Sequence, residues 1–353
     1  MEVSTVKKTI SIFLILTLTV ALFAGCAGTP VIYYSDCTCP TGGQAVTPDY
    51  TPTEGSVKTG LAIVTGMSKA DDANQVDYDV TVVAVTVDDQ GVIQDCVIDS
   101  VGASVAVNEK GEITTDTAAE IQTKNEKGDS YGMKAYGGAK YEWYEQAAAL
   151  ANYAKGKTVA ELKKGAVNEA GKAADADLAS TATIYLGGYV NAIEAAVNNA
   201  QHLGAESGDL LKLAVINSLG SSTNATAEKD GTAQLDCDVV ALTVKDGKIT
   251  SCVIDSAQAK ASFHATGTIT TELPAQVQTK NQLGEGYGMK AWGGAKYEWN
   301  EQAAAFAAYV TGKTAADVAG IAVAEGKPSD VDLSASVTIA IGGFQALIAK
   351  AMQ

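Results

Sequence analysis

Two short segments place a hydroxyl-bearing residue where it could bind a phosphate. They cover residues 177–183 and 332–338, and each begins with Asp and ends with Thr. A Gly-Gly pair and an Ala-rich apolar run follow each segment, and the run predicts a helix. Free backbone N–H groups and the positive dipole end at a helix start favour an anion such as phosphate. The alternative is a plain helix cap, because Ser and Thr are preferred there for hydrogen bonding alone.

A glycine-rich aromatic block occurs twice, over residues 131–143 and 287–299, and all three Trp of the chain lie in it. Glycine lets a backbone approach a flat partner, and aromatic rings and Met thioethers stack on planar rings. A Lys in each copy could face negative charge. The candidate binding residues are Tyr131, Met133, Lys134, Tyr136, Tyr287, Met289, Lys290 and Trp292. A core aromatic cluster under a loop is the alternative, although packed cores use fewer glycines.

A tandem repeat with a period near 156 residues carries both features. The stretch KNEKGDSYGMKAYGGAKYEWYEQ at residues 124–146 matches KNQLGEGYGMKAWGGAKYEWNEQ at 280–302. This period is too long for a solenoid and suits one domain. The sequence therefore predicts two homologous tandem domains, over residues 56–200 and 205–353.

Hydrophobic patterning predicts the elements that position these residues. Alternating β-branched runs with turns between them, one of them Asp246-Gly247, predict antiparallel hairpins. The predicted strands cover residues 78–87, 92–98, 235–244 and 249–254. Ala-rich runs and Thr caps predict helices over 139–153, 158–163, 189–197, 295–309, 314–318 and 344–351. Residues 123–134 are expected to form a loop. The predicted fold class is α+β, with an antiparallel sheet packed against helices in each domain.

The N-terminus carries the pattern of a lipoprotein signal. Residues 1–25 contain Lys7-Lys8 and an apolar run that ends in small residues before Cys26. This predicts cleavage and lipidation at Cys26; an uncleaved signal anchor is the alternative. Residues 26–55 are rich in Thr, Pro and Gly and predict a disordered tether. The protein is thus expected on the outer face of the cell membrane, anchored in the bilayer through Cys26.

Composition narrows the function class. The formal net charge is −16, which argues against binding nucleic acid or anionic lipid. The acidity either keeps an exported protein soluble or attracts cations such as ferric species. The two His are not repeat equivalents, so neither a His metal site nor a Ser-His-Asp triad is repeated in each domain. For Cys237 and Cys252, a disulfide across one hairpin and two buried thiols both stay open.

The Asp-to-Thr segments resemble the Asp-x-x-Ser/Thr-Gly-Ala-Ser/Thr attachment pattern of flavinylated FMN-binding domains. Such domains occur in quinone-reductase complexes and in flavinylated extracellular electron-transfer lipoproteins. The first copy keeps Asp177, Ser180 and Thr183, with Thr181 where Gly is usual. The second copy keeps Asp332 and Thr338 but departs from the pattern between them.

The resemblance implies covalent FMN on Thr183 and Thr338, joined through a phosphoester bond by an FMN transferase. It implies that Asp177 and Asp332 are recognised by this transferase and are not catalysts. Electrons would come from a membrane quinol-oxidising donor and pass to extracellular acceptors such as ferric iron, which would make ferric reductase activity a property of the bound flavin. The resemblance implies neither a catalytic side chain nor a metal site.

Two other functions stay open at this stage. A non-enzymatic surface lipoprotein could bind cell-wall polymer or a protein partner, for which tandem domains on a tether would give avidity. A lipoprotein that carries a peptide pheromone in its cleaved signal is also compatible with the apolar N-terminal run.

Overall fold

Long β-branched runs form the centre of the structure, a computed structural model that describes residues 50–70 and 74–353. The predicted signal peptide, Cys26 and the predicted tether as far as residue 49 lie outside the described residues. The class is mixed α+β with antiparallel sheets, as the hydrophobic pattern predicts. The two halves named below are the sequence repeats, residues 56–200 and 205–353.

Each half contributes three consecutive antiparallel strands. The strands of the described residues are β1 (Lys58–Lys69), β2 (Gln75–Val87), β3 (Ile93–Ala106), β4 (Leu210–Ser218), β5 (Gly231–Lys245), β6 (Lys248–Phe263), β7 (Ala275–Val277), β8 (Val323–Ala324) and β9 (Lys327–Pro328). The four strands with a sequence prediction exist and are longer than predicted, whereas β1 and β4, the first strand of each half, were not predicted. The Asp246-Gly247 turn joins β5 to β6 as a two-residue loop, with both residues at positive φ.

Strand order links the two halves. The first sheet has the order β3-β2-β1-β7, and the second has the order β4-β5-β6. Strand β7 belongs to the second sequence repeat but pairs with β1 of the first, placing Thr65 opposite Val277. Strands β8 and β9 form a separate two-stranded hairpin. Residues of the second half therefore complete the sheet of the first.

Both faces of the long strands are buried, which explains their nearly continuous apolar sequence. In β2, Val80 and Val82 contact one apolar cluster that includes Val239 and Cys237 of the second sheet. Val83 faces the opposite way, into a cluster with the first-half helices. A third cluster joins the second sheet to its own helices. The layers thus run helix, sheet, sheet, helix, and the two repeats bury one apolar cluster together. The predicted division into two domains stays a prediction.

Helices cover the outer face of each sheet. They are α1 (Lys124–Lys127), α2 (Met133–Gly137), α3 (Trp143–Ala154), α4 (Val159–Ala166), α5 (Ala176–Thr181), α6 (Gly187–Asn198), α7 (Lys280–Leu283), α8 (Trp299–Val310), α9 (Ala315–Ala319), α10 (Val331–Ser334) and α11 (Gly342–Ala351). Short 3₁₀ turns lie at Gly128–Tyr131 and Gly284–Tyr287. No helix in this described part of the chain is both long enough and apolar enough to cross a bilayer.

Capping residues explain where several of these helices begin. Thr158 and Thr314 cap α4 and α9 in reciprocal capping boxes, as the sequence predicts. The helices predicted over 139–153 and 295–309 begin later than expected, at Trp143 and Trp299, because Glu142 and Glu298 are their N-cap residues. The expected loop over 123–134 instead contains α1, which Thr123 caps.

The three described cysteines are free and buried. Cys237 lies in the cluster between the sheets, whereas Cys252 lies in the cluster under the second-half helices. Their side chains therefore point to opposite faces of one sheet. Cys237 pairs across the ladder with Ala257, and Cys252 pairs with Leu242. The two buried thiols are the state that the structure shows.

Candidate functional site

Thr183 lies on the surface, in the connection between α5 and α6, and its side chain is exposed. Its hydroxyl Oγ1 donates to Gln146 Oε1 at 3.2 Å. Gln146 Oε1 also accepts the backbone N–H of Thr183 at 2.7 Å and that of Ile184 at 3.1 Å. One amide oxygen thus holds the backbone and the hydroxyl of the candidate attachment residue.

The second half repeats this arrangement. Thr338 is exposed, and its hydroxyl donates to Gln302 Oε1 at 3.1 Å. The N–H groups of Thr338 and Ile339 reach the same oxygen at 2.8 and 3.2 Å. The corresponding distances in the two halves agree to about 0.1 Å, so the geometry is a property of the repeat.

Gln146 also connects the threonine segment to the glycine-rich aromatic block. Its side chain is fully buried in α3, and its Nε2 donates to the carbonyl of Tyr141 at 3.0 Å. Nε2 lies 3.9 Å from Met133 Sδ. In the second half Gln302 is equally buried and donates to Tyr297 O at 3.0 Å. The two features that the sequence singles out therefore meet at one buried glutamine in each half.

The expectation that each Thr lies at the start of the final helix needs a correction. Three residues separate Thr183 from α6, which begins at Gly187. The N–H groups beside Thr183 are bound to Gln146, so they are not the free donors of a helix start. Thr338 is separated from Gly342 in the same way. Tertiary contact, and not the helix dipole, fixes these two residues.

The other residues of the attachment-like segments lie on α5 and α10. Asp177 and Asp332 are exposed in the first turns of these helices, and Asp175 and Asp330 are the caps that accept their N–H groups. Ser180 donates its hydroxyl to the carbonyl of Asp177 at 2.7 Å. The two Asp carboxylates are thus on the surface.

Each half presents one almost fully exposed aromatic ring. Tyr136 is 91% exposed and Trp292, at the equivalent position, is 81% exposed. Each ring lies over a glycine four residues earlier: a Cβ on Gly132 would be 2.5 Å from the Tyr136 ring, and one on Gly288 would be 2.2 Å from the Trp292 ring. Both glycines have a positive φ, so a larger residue would be strained as well as crowded.

A buried carboxylate holds the glycine turn beneath each ring. Glu142 is 1% exposed and accepts the N–H groups of Met133 and Lys134 at 2.8 and 2.9 Å. Glu298 does the same for Met289 and Lys290, at the same two distances. Because a backbone N–H group left without a partner is costly when buried, this pair of bonds fixes the loop in one conformation.

Lys134 and Lys290 form salt bridges with carboxylates of their own half. Lys134 Nζ lies 3.2 Å from Glu145 and 3.4 Å from Asp129. The hydrogen bond to Glu145 raises the pKa of Lys134 above its ordinary value. Lys290 Nζ lies 3.3 Å from Glu301. To face the negative charge of a bound group, as the sequence predicts, either side chain would have to leave these carboxylates.

A second lysine stacks on the inner aromatic rings of each block. Lys280 Nζ lies 5.4 Å from the ring centre of Tyr287 and 4.8 Å from that of Trp299, and burial lowers its pKa. Tyr287 lines an open cleft of about 240 Å³ and donates its hydroxyl to Gln258. In the first half Lys124 stacks on the ring of Tyr131, which is 37% exposed. The aromatic block is therefore part surface and part core.

In each half a buried aspartate ties the short helix before the aromatic block to the sheet. Asp99 accepts the N–H groups of Ser100 and Asn125, at 2.7 and 3.2 Å. Burial raises its pKa to about 6, against the opposing effect of these bonds and of the Thr123 hydroxyl. Asp255 repeats this arrangement with Asn281, and burial raises its pKa to about 6 as well.

Sequence reasoning missed the glutamines, the buried glutamates and the two aspartates as parts of the site. The glutamines and glutamates lie within the repeated stretches 124–146 and 280–302, and the aspartates lie in a Cys-Val-Ile-Asp-Ser segment that recurs at 96–100 and 252–256, so their recurrence was a visible signal. In residues 50–70 and 74–353, no group of three His, Cys, Asp or Glu side chains converges as metal ligands would.

Comparison of the chain with protein-family models, with curated proteins and with solved structures finds no match. The resemblance to flavinylated FMN-binding domains therefore depends on the Asp-to-Thr segments and the repeated aromatic block alone.

Proposed function

We propose that the chain is a flavoprotein that carries covalent FMN on Thr183 and Thr338 and transfers electrons. The observation that carries the proposal is the repeated exposed threonine, held by a buried glutamine that also borders the aromatic block. FMN needs an accessible hydroxyl for its phosphate and a planar surface for its ring, and each half offers both. Bound there, FMN would supply one- and two-electron transfer.

The residues of this chain would hold the cofactor and set its surroundings. Tyr136 and Trp292 offer exposed ring faces on which a planar group can stack. Glu142 and Glu298 keep the glycine turns under these rings in place. Covalent attachment suits a protein outside the cell, where a dissociated cofactor would be lost. With the predicted anchor at Cys26, the donor is a membrane quinol-oxidising enzyme and the acceptor an extracellular oxidant such as ferric iron.

Intact mass of the protein co-produced with a flavin transferase tests the proposal. We expect a gain of one or two increments of FMN minus water, together with a yellow colour. Thr183→Ala and Thr338→Ala should each remove the increment at that position where wild type carries one, and the double variant should gain nothing. Peptide mapping then assigns each increment to its threonine. Wild-type protein of unchanged mass would overturn the proposal and would favour a surface module that binds polymer or protein.

A further inference from the structure

We propose that Gln146 and Gln302 are positioning residues that present each threonine hydroxyl for esterification. The inference rests on the proposed function. Both glutamines are 0% exposed, and each Oε1 accepts three hydrogen bonds from one dipeptide: two backbone N–H groups and one hydroxyl. An acceptor that binds a residue's own N–H and its own hydroxyl fixes the side-chain torsion of that residue.

The direction of the hydroxyl proton determines which side of the threonine oxygen is open to an incoming group. A threonine hydroxyl has one proton to donate and two lone pairs. The proton points inward, to Gln146 Oε1 in the first half. The lone pairs of Thr183 Oγ1 therefore point away from the protein body, on a side chain that is exposed. An incoming phosphorus atom would approach from that side.

The glutamine orients the nucleophile but does not activate it, because an amide oxygen is not a base at neutral pH. In the esterification the O–H bond of Thr183 breaks and an Oγ1–P bond forms. The donor is an activated flavin nucleotide, whose leaving group departs from phosphorus, and the modifying transferase supplies the base that takes the proton. In the product Oγ1 has no proton to donate, so only the two N–H bonds to Gln146 Oε1 remain.

Two substitutions separate positioning from packing. Gln146→Met keeps much of the side-chain length but removes the acceptor. Gln146→Glu keeps the acceptor, and a protonated carboxyl can also replace the Nε2 donor to Tyr141 O. If Gln146 only fills space, the Met variant should behave at least as well as the Glu variant. If it positions the hydroxyl, the Glu variant should be the better substrate.

The test follows modification of the full chain by a flavin transferase over time, with peptide masses that report Thr183 and Thr338 separately. In Gln146→Met we expect esterification of Thr183 to slow by about 10- to 100-fold, the usual effect of a small misplacement of a reacting group. Thr338 in the same molecule should be modified at the wild-type rate, which also shows that the variant is folded. Gln302→Met should reverse the pattern, and Gln146→Glu should restore most of the rate at Thr183.

Amide hydrogen exchange of the unmodified protein gives a second readout. The N–H groups of Thr183 and Ile184 should exchange faster in Gln146→Met and not in Gln146→Glu. Wild-type rates at Thr183 in Gln146→Met, with both sites modified in wild type, would overturn the positioning role and leave the proposed function intact. Absence of any mass gain in wild type would overturn both.

Discussion

The two halves hold the same threonine in different surroundings. In the first half, Tyr185 follows Thr183 by two residues and is 50% exposed. Its side chain lies against Gly171 and Gly187, where a Cβ would be 2.0 Å from a ring carbon and 2.8 Å from the hydroxyl oxygen. In the second half Ala340 takes this place. The position two residues after the threonine therefore carries an aromatic ring in the first half and a methyl group in the second.

Neighbouring residues extend the difference. Lys172 Nζ donates to the carbonyl of Thr183 at 2.9 Å. At the corresponding places of the second half, Val323 and Val331 replace Asn168 and Ala176, and they are 49% and 83% exposed. Lys327 is the equivalent of Lys172, so the difference in sequence lies in the two exposed valines of the second half and not in this lysine.

The tryptophan below each site also has a different partner. Trp143 packs edge-on against Tyr189 and donates its ring N–H to that hydroxyl at 3.0 Å. Trp299 packs edge-on against Phe344, which has no hydroxyl, and Phe344 packs against Phe306 as well. The edge-on packing of the two rings is retained, whereas the partner of the tryptophan is polar in the first half and apolar in the second.

This comparison separates what the repeat fixes from what it varies. The glutamine that holds the threonine and the glutamate that holds the glycine turn are the same in both halves. The residues around them differ. We infer that the placement of the hydroxyl is common to the two sites, and that the environment of a bound group is not.

Removal of the buried glutamate should have the largest effect on stability, and it tests whether the two halves are equivalent. Glu142→Ala leaves the N–H groups of Met133 and Lys134 without a partner, which we expect to lower the free energy of unfolding by about 3 kcal/mol. Glu298→Ala should cost about the same, because its bonds have the same lengths. Denaturant unfolding of each variant measures both values.

Glu161→Ala is the matched control, since Glu161 also accepts a backbone N–H at a helix start but is exposed. Its effect should be clearly smaller. Loss of stability in only one of the two buried-glutamate variants would show that the halves are not equivalent at this position, in spite of their common geometry.

Local signals predicted much of the fold, whereas the contacts that build the site are long-range. The Asp246-Gly247 turn and the Thr158 cap depend on neighbouring residues and were predictable from them. The hydrogen bond between Gln146 and Thr183 joins residues 37 positions apart, and hydrophobic periodicity cannot predict a partner at that separation. Pairing of the three-residue strand β7 with β1 crosses the repeat boundary, and so short a strand has no pattern of its own. The sequence singled out the threonine segments but not the glutamines that bind them.

The buried aspartates predict an unusual pH dependence that should be similar in both halves. Burial raises the folded-state pKa of Asp99 and Asp255 from 3.8 to about 6. Between about pH 4 and pH 6 the folded state therefore binds more protons than the unfolded state. The contribution of each group to stability is greatest below this range and falls as the pH rises through it, by about 1–3 kcal/mol.

Asp99→Asn and Asp255→Asn remove the titration while keeping an oxygen that can accept the same N–H bonds. Relative to wild type, each variant should gain stability as the pH rises from 4 to 7, and denaturant midpoints at several pH values measure the difference. The comparison with wild type cancels the other carboxylates of this acidic chain. A difference that does not change with pH would mean that these aspartates titrate normally.

The smallest expected effect comes from exchanging Tyr185 and Ala340, which take equivalent places two residues after the two threonines. Tyr185→Ala gives the first half the residue of the second, and the loss of a half-buried ring should lower the free energy of unfolding by about 1 kcal/mol. Modification of Thr183 should stay within about twofold of wild type, because the hydrogen bonds that Thr183 donates to Gln146 do not involve Tyr185. Ala340→Tyr is the reciprocal variant, and peptide masses from both chains report the two sites side by side. If Tyr185→Ala slowed modification of Thr183 as strongly as removal of the Gln146 acceptor, Tyr185 would also be a positioning residue. In the first half, the residues that differ between the repeats would then matter as much for the threonine as the glutamine that they share.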